Sequence, residues 1–137
     1  MPQARLRNRL AQMQDGFYIP LTGGRQMHVQ PEFSDDGAVT GVICDNLGSQ
    51  PWIPIAVFDV VIQHLSQQAN RSAIKGDAHQ RLGSPRLPLD SIEGHVAHVY
   101  YGKQVGEYAF QRITPISRIL AWAGICVNGR GYMELIP

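Results

Sequence analysis

The sequence predicts a single α+β domain, in which an N-terminal antiparallel meander packs on helices and a helical C-terminal half closes with a β-hairpin. Apolar and polar residues alternate between residues 17 and 44, which is the period of a half-buried strand. Apolar residues then recur at helical spacing over 54–68 and over 89–124. Asn128-Gly129 follows, and this dipeptide is typical of a tight hairpin turn. A chain of 137 residues has room for one hydrophobic core.

The pattern of residues 1–14 predicts an amphipathic helix or an arm. Leu6, Leu10 and Met13 are spaced at i, i+4 and i+7, which places them on one face of a helix over 3–14. Three arginines lie between these positions. Two interpretations remain open: a terminal helix that docks on the core with its arginines in solvent, or an arm that contacts phosphates.

The unit from 15 to 68 is expected to hold the sheet and the helix that covers it. Strands are predicted over 17–21, 26–33 and 38–44, with turns at Gly23-Gly24 and at Asp35-Asp36-Gly37. Pro31 fits best on an edge strand, because proline cannot donate a hydrogen bond to the ladder. The helix over 54–68 carries a wide apolar stripe, which should lie across the meander; its members are Val57, Phe58, Val61, Ile62 and Leu65.

Residues 69–88 form a long basic stretch without clear periodicity. This stretch contains four basic residues and one histidine, but only one acid, Asp77. The basic residues and the histidine are Arg71, Lys75, His79, Arg81 and Arg86. A loop of this length inside a small domain is commonly functional or disordered, and both interpretations stay open. The arginines are suited to phosphate contacts, or they pair with the acidic region 15–68.

The unit from 89 to 137 predicts helices followed by a hairpin. Asp90 as N-cap and Glu93 three residues later have the spacing of a capping box, and Gly102 ends this helix. A short helix over 106–113, carrying Tyr108 and Phe110, precedes a third helix over 115–124, which Thr114-Pro115 begins. The strand after Asn128-Gly129 runs from Tyr132 to Ile136.

This order of elements resembles the winged-helix domains, including the small winged-helix segments of restriction-system proteins. The resemblance covers residues 89–136 and is carried by the apolar spacing of the last helix and by the hairpin that ends Gly131-Tyr132-Met133-Glu134-Leu135. It implies that the helix over 115–124 is a recognition helix, with Ser117 and Arg118 in the major groove and Arg130 at the tip of the wing. Alternatively the hairpin joins the main sheet, and the likeness is only local.

Composition and charge restrict the function classes. The chain is 44% hydrophobic and 17% charged, and it lacks both an apolar run long enough for a membrane span and the apolar core of a signal peptide. We therefore expect no membrane association and a cytoplasmic location. Cys44 and Cys126 stand far apart in apolar settings, where buried reduced thiols are expected.

The charge is unevenly distributed along the chain. Residues 1–14 carry three bases and no acid, 15–68 one base and six acids, and 69–137 eight bases and five acids, which gives the net charge of +1. Such an arrangement is compatible with a polyanionic partner. The first hypothesis is therefore a non-enzymatic protein that binds duplex DNA or another polyanion. Its expected contacts are Arg71, Lys75, Arg81, Arg86, Ser117, Arg118 and Arg130.

Two other classes of function are carried forward. One is a protein-interaction module, such as a homodimer, that uses sheet edges and the aromatics Trp52, Tyr100 and Tyr101. The other is a small metal- or ligand-dependent enzyme, with candidate residues Asp77, His79, Glu93, His95 and His98. His95 and His98 are spaced at i, i+3, whereas zinc hydrolases use i, i+4. Nucleophile and phosphate-loop motifs are absent from the sequence. No cofactor is therefore expected, and a non-enzymatic role is favoured over the enzyme hypothesis.

Overall fold

The computed structural model describes residues 1–109 and 111–137, and it has an α+β architecture with two antiparallel sheets. The helices are α1 (Pro2–Ala11), α2 (Ile55–Gln67), α3 (Ile92–His95) and α4 (Ile113–Trp122). The strands are β1 (Phe17–Pro20), β2 (Gln26–Phe33), β3 (Val39–Cys44), β4 (Trp52–Pro54), β5 (Ser72–Ile74), β6 (Cys126–Asn128) and β7 (Tyr132–Leu135). Of the described helices, none is long and apolar enough to cross a membrane.

The first sheet is the predicted meander with one more strand, in the order β1-β2-β3-β4. No strand was predicted over 52–54, because three residues that include a proline carry little strand signal. Pro31 pairs with Val42 of β3, while β1 pairs with β2 only over 26–29. The proline therefore lies where β2 is locally an edge, which is compatible with its missing N–H.

The core forms between this sheet and α2, as the helical spacing predicted. The stripe of α2 is buried throughout, and it belongs to one cluster with Met27 and Val29 of β2 and Val42 of β3. Burying each such side chain contributes roughly 1.5–3 kcal/mol relative to exposure. The α2 stripe therefore supplies a large share of the free energy that holds the sheet in place.

Helix α1 docks on the core and is not a free arm in this structure. Leu6 and Leu10 are fully buried. Arg7 forms an ion pair with Asp59 of α2 at 2.7 Å, and the guanidinium of Arg9 lies 4.5 Å from the ring centroid of Trp122. The terminal arginines thus pack against α2 and α4.

The second sheet has the strand order β5-β7-β6. It combines a strand from the start of the C-terminal half with the two strands at its end. The hairpin of β6 and β7 does not join the meander. It pairs instead with β5, where Ala73 lies opposite Met133. A strand within the stretch 69–88 was not predicted, because three residues flanked by Arg71 and Lys75 show no measurable alternation.

The segment before α4 differs most from the prediction. Ser91, not Asp90, caps α3, since the Ser91 hydroxyl accepts a hydrogen bond from the Gly94 N–H at 3.1 Å. The helix continues only as a π-helical segment, Val96–Tyr100. The predicted helix over 106–113 is wrong for the residues described, because Tyr108 forms an isolated bridge with Arg81. Phe110 lies outside the described residues.

Candidate ligand-binding cleft

A polar cleft of about 940 Å³ lies between the two halves of the chain. The N-terminal half contributes the β1–β2 connection and the β3–β4 connection. The C-terminal half contributes the loop that follows β5 and the start of α4. Its charged and titratable lining residues are Arg25, Asp77, His79, Arg112 and Arg118. Three guanidinium groups thus face one carboxylate.

Arg118 connects the two walls of the cleft. Its guanidinium donates to the carbonyl of Pro20 at 3.2 Å and to the hydroxyl of Thr22 at 3.3 Å. These bonds hold a positive charge from α4 against the β1–β2 connection. The side chain is only half-buried, so it keeps donors in reach of a ligand.

Arg112 lies beneath the cleft, next to a buried carboxylate. Arg112 is 6% exposed and Glu93 is 1% exposed. The Glu93 carboxylate accepts hydrogen bonds from the backbone N–H groups of Arg112, at 3.1 Å, and of Ile113, at 2.7 Å. Glu93 therefore supplies α4 with the cap that the helix itself lacks. The predicted capping box within its own helix is wrong, because this carboxylate reaches a different helix.

Burial dominates the titration of Glu93. It raises the pKa of this carboxyl to about 7, while the two backbone hydrogen bonds and the positive charge of Arg112 act in the opposite direction. Burial also raises the pKa of Cys44, near Arg112, to about 12, and that of Cys126 to about 12. Both thiols are buried and unpaired, as the sequence predicted.

Asp77 and His79 share one side of the cleft without forming a catalytic pair. The Asp77 carboxylate accepts a hydrogen bond from the backbone N–H of His79 at 2.9 Å, not from its ring. The ring nitrogen Nδ1 of His79 lies 3.2 Å from the amide nitrogen of Gln111. If this amide donates, the proton of the neutral imidazole is on Nε2. Asp77 orders the loop, and His79 presents a donor at the cleft wall.

Lys75 and Arg118 lie near each other on the cleft side of the molecule. Burial lowers the pKa of Lys75, and the positive charge of Arg118 lowers it further. The Lys75 N–H donates to the carbonyl of Gly131 at 2.8 Å, so the hairpin residue Arg130 is close in the chain. The carbonyl of Arg86 accepts from the N–H of Asp77 at 2.9 Å. Of the predicted contact residues, Arg118 lines the cleft. Lys75, Arg86 and Arg130 are connected to it through neighbouring backbone only.

The remaining predicted contacts are engaged elsewhere. Arg81 stacks on Tyr108, with the guanidinium 4.7 Å from the ring centroid, and donates to the carbonyl of Gly106 at 2.9 Å. Arg71 donates to the carbonyl of Ile136 at 3.4 Å. Neither side chain pairs with the acidic region 15–68 in these contacts, which was the alternative for the loop.

Ser117 does not face solvent, contrary to its expected position on a recognition helix. It is 2% exposed, and its hydroxyl donates to the carbonyl of Thr114 at 3.1 Å. Ile116, Ile119 and Leu120 form the core-facing side of α4, and the burial of Pro115 and Ser117 widens this side to about half of the helix surface. Ser117 therefore lies on the buried side of α4, where it cannot reach a major groove.

The histidines of α3 and its extension do not form a metal site with each other. His95 stacks on His64, with ring centroids 3.9 Å apart and an interplanar angle of 15°. His98 is hydrogen-bonded to the carbonyl of Lys103 at 2.9 Å. Among the described residues, no three potential ligands of the His, Cys, Asp or Glu type cluster together. The five residues of the enzyme hypothesis are therefore divided between the cleft (Asp77, His79), the interior (Glu93) and the α2–α3 contact (His95), with His98 exposed.

Sequence reasoning missed the N-terminal wall of the cleft. Arg25 lies in the β1–β2 connection, and Asn46, Ser49 and Gln50 lie in the β3–β4 connection. One signal was present: in a four-stranded meander the first and third connections emerge at the same end. Recognising it required the fourth strand, β4, which carried too weak a pattern to be predicted.

Comparison with known proteins gives no match to this chain, whether with family models, with curated sequences or with solved structures. The winged-helix resemblance of residues 89–136 therefore has no relative that supports or opposes it, and it stays a prediction. The chemistry of the cleft is the remaining guide to function.

Proposed function

We propose that this protein binds nucleic acid and that the basic residues in and beside the cleft hold the phosphates. The observation that carries the proposal is the charge of the cleft, in which Arg25, Arg112 and Arg118 face the single carboxylate of Asp77. Lys75 adds a further positive charge next to Arg118. A cleft lined mainly by positive charges focuses the electrostatic field and attracts anions.

The residue types favour phosphate over other anions. A guanidinium presents several donors in a planar fork and binds phosphate oxygens in a bidentate way. Arg25 is exposed, and Arg118 is half-buried and held in place by Pro20 and Thr22. A pre-ordered guanidinium loses less side-chain entropy on binding than a free one. Arg112 lies deeper, and we assign it a supporting role through its charge.

Arg86 and Arg130 extend the binding surface beyond the cleft. Both side chains are exposed. The carbonyl of Arg86 accepts from the N–H of Asp77, and Arg130 precedes Gly131, whose carbonyl accepts from the N–H of Lys75. A strand that crosses the cleft can therefore meet further positive charges on this side. Arg71 and Arg81 have a smaller part in this proposal than the sequence indicated, since both side chains are held by contacts in the C-terminal half.

A titration of fluorescein-labelled oligonucleotides of about 20 nucleotides, followed by anisotropy, tests the proposal. Binding should weaken steeply between about 50 and 200 mM salt, because each phosphate contact releases counterions. Arg25→Gln and Lys75→Gln should each weaken binding about fivefold and reduce the slope of log K against log salt by about 1. Arg5→Gln is the matched control, since Arg5 lies outside the cleft and donates to the carbonyl of Gly124.

The control separates a site from general electrostatic attraction. Arg5→Gln should lose much less affinity than either cleft variant. Absence of binding to every oligonucleotide at low salt contradicts the proposal. Equal losses in the control and in the cleft variants would assign the binding to the overall charge of the molecule.

A further inference from the structure

We infer that the cleft receives an unpaired nucleotide, so that the preferred ligand is a single strand and not an intact duplex. This inference rests on the proposed function and adds the class of nucleic acid to it. It is carried by the concave shape of the cleft, by the chemistry of its walls, and by the burial of the helix that would otherwise enter a groove.

The shape of the site favours an unpaired base. A volume of about 940 Å³ lies within the usual range of small-ligand sites, roughly 300–1,000 Å³, and can take a nucleotide. A duplex is convex and conceals its bases in the stack, and it is read by elements that protrude into its grooves. The base of a single strand is free to turn into a concavity.

The burial of α4 removes the main route to duplex reading. Ser117 is buried, and Ile116, Ile119 and Leu120 point into the core. The side of α4 that lines the cleft carries Thr114 and, one turn later, Arg118. Only the cleft side of this helix can therefore meet a nucleic acid.

The cleft walls offer what a base and its phosphate need together. Apolar contacts are available from Leu21, Leu47, Ile113 and Pro115, which suits the faces of a base ring. Side-chain amides are available from Asn46, Gln50 and Gln111, and amides pair with the donor and acceptor atoms along base edges. The arginines then hold the backbone phosphate.

The amides separate this inference from simple phosphate binding. Arginine alone would bind any polyanion, including a duplex, through its charge. A neutral amide can donate to phosphate and sugar oxygens as well as to base edges, so a loss of affinity seen with the normal strand and not with the abasic strand identifies a base contact. Gln111 is exposed, and its amide nitrogen lies 3.2 Å from Nδ1 of His79. Because glutamine is neutral, its replacement by alanine leaves the charge of the cleft unchanged.

The test compares three ligands of one sequence by anisotropy at one salt concentration: a single strand, the blunt duplex, and the single strand with abasic sites in place of its bases. We expect the single strand to bind at least about tenfold more tightly than the duplex and than the abasic strand. Gln111→Ala should weaken binding of the normal single strand about fivefold and leave the abasic strand unaffected. Gln63→Ala, an exposed glutamine of α2 outside the cleft, should change neither.

The outcomes distinguish this inference from the proposed function. Equal affinity for the single strand and the duplex, with binding still weakened by Arg25→Gln and Lys75→Gln, overturns the unpaired-nucleotide inference and leaves nucleic-acid binding intact. Equal affinity for the normal and abasic strands also overturns it. Failure of all three ligands to bind overturns both proposals.

Discussion

At the scale of single residues, the cleft depends on buried groups that never touch its interior. Glu93 is the main example, because its carboxylate caps α4 and lies near Arg112 under the cleft floor. A buried carboxylate is costly when charged, and here two N–H donors and one arginine offset part of that cost. The position of the cleft wall is thus linked to the protonation of an interior acid.

Glu93→Gln should change how stability depends on pH. The pKa of Glu93 in the folded chain, about 7, lies above the ordinary value of 4.5. The stability contributed by this group is therefore fully present below about pH 4.5 and is lost as the pH rises toward 7. Glutamine is neutral throughout, so the free energy of unfolding of the variant relative to the parent should rise by an amount of the order of 3 kcal/mol between pH 4.5 and 8.

Urea denaturation of both proteins across this pH interval measures the difference. A difference in unfolding free energy that stays constant with pH would show that Glu93 does not titrate in this way. A loss of stability in the variant at all pH values would instead assign Glu93 a purely structural role in capping α4.

At the scale of elements, the weakest sequence signals belong to the shortest strands, and tertiary contacts define them. In β4, the ring of Trp52 lies over Gly41 of β3, at a position where no side chain would fit. A Cβ atom at Gly41 would stand 2.5 Å from the carbonyl oxygen of Ile53. A three-residue strand is therefore held by an aromatic ring that covers a glycine on its neighbour.

Gly41→Ala should destabilise the first sheet. The added methyl group has to displace the β4 backbone or the Trp52 ring, and overpacking of this kind costs about 1–3 kcal/mol. Thr40→Ala, at the exposed neighbouring position of β3, is the control. It removes one exposed hydrogen bond from the hydroxyl to the carbonyl of Glu32 and should cost less than about 1 kcal/mol. The midpoint of chemical denaturation gives both values. An unchanged midpoint for Gly41→Ala would mean that β4 is not packed against β3 as described.

The longer elements were predictable from the sequence because each spans enough residues for its apolar periodicity to be recognised. The helix expected over 54–68 is Ile55–Gln67, and the strand expected over 26–33 has the same bounds in the structure. Predictions became wrong where the local pattern was short or where a distant partner decided the outcome. The strand β5 needs β7, and Glu93 caps a helix some twenty residues away in the sequence.

At the scale of the whole molecule, the cleft exists only because the two halves of the chain meet. Its N-terminal wall comes from connections of the meander, and its C-terminal wall comes from the loop after β5 and from α4. The sequence analysis singled out three residues of the second wall, Asp77, His79 and Arg118. It gave no indication of Arg25, because single bases in loops acquire a common position only through tertiary structure.

The gathering of positive charge is therefore a property of the fold and not of any segment. The net charge is only +1, yet the cleft lining carries three arginines and one acid. The N-terminal arginines Arg7 and Arg9, by contrast, are used in packing against α2 and α4. The uneven distribution of charge along the chain predicted a polyanionic partner but did not locate its site.

Chemical-shift mapping tests the central claim most directly. In a two-dimensional NMR titration of the ¹⁵N-labelled protein with a single-stranded oligonucleotide, the largest amide shifts should fall on the cleft segments 21–25, 46–50, 76–79 and 111–118. Shifts concentrated on α1 or on the exposed face of α2, with these four segments unchanged, would contradict the claim that the cleft binds the nucleic acid.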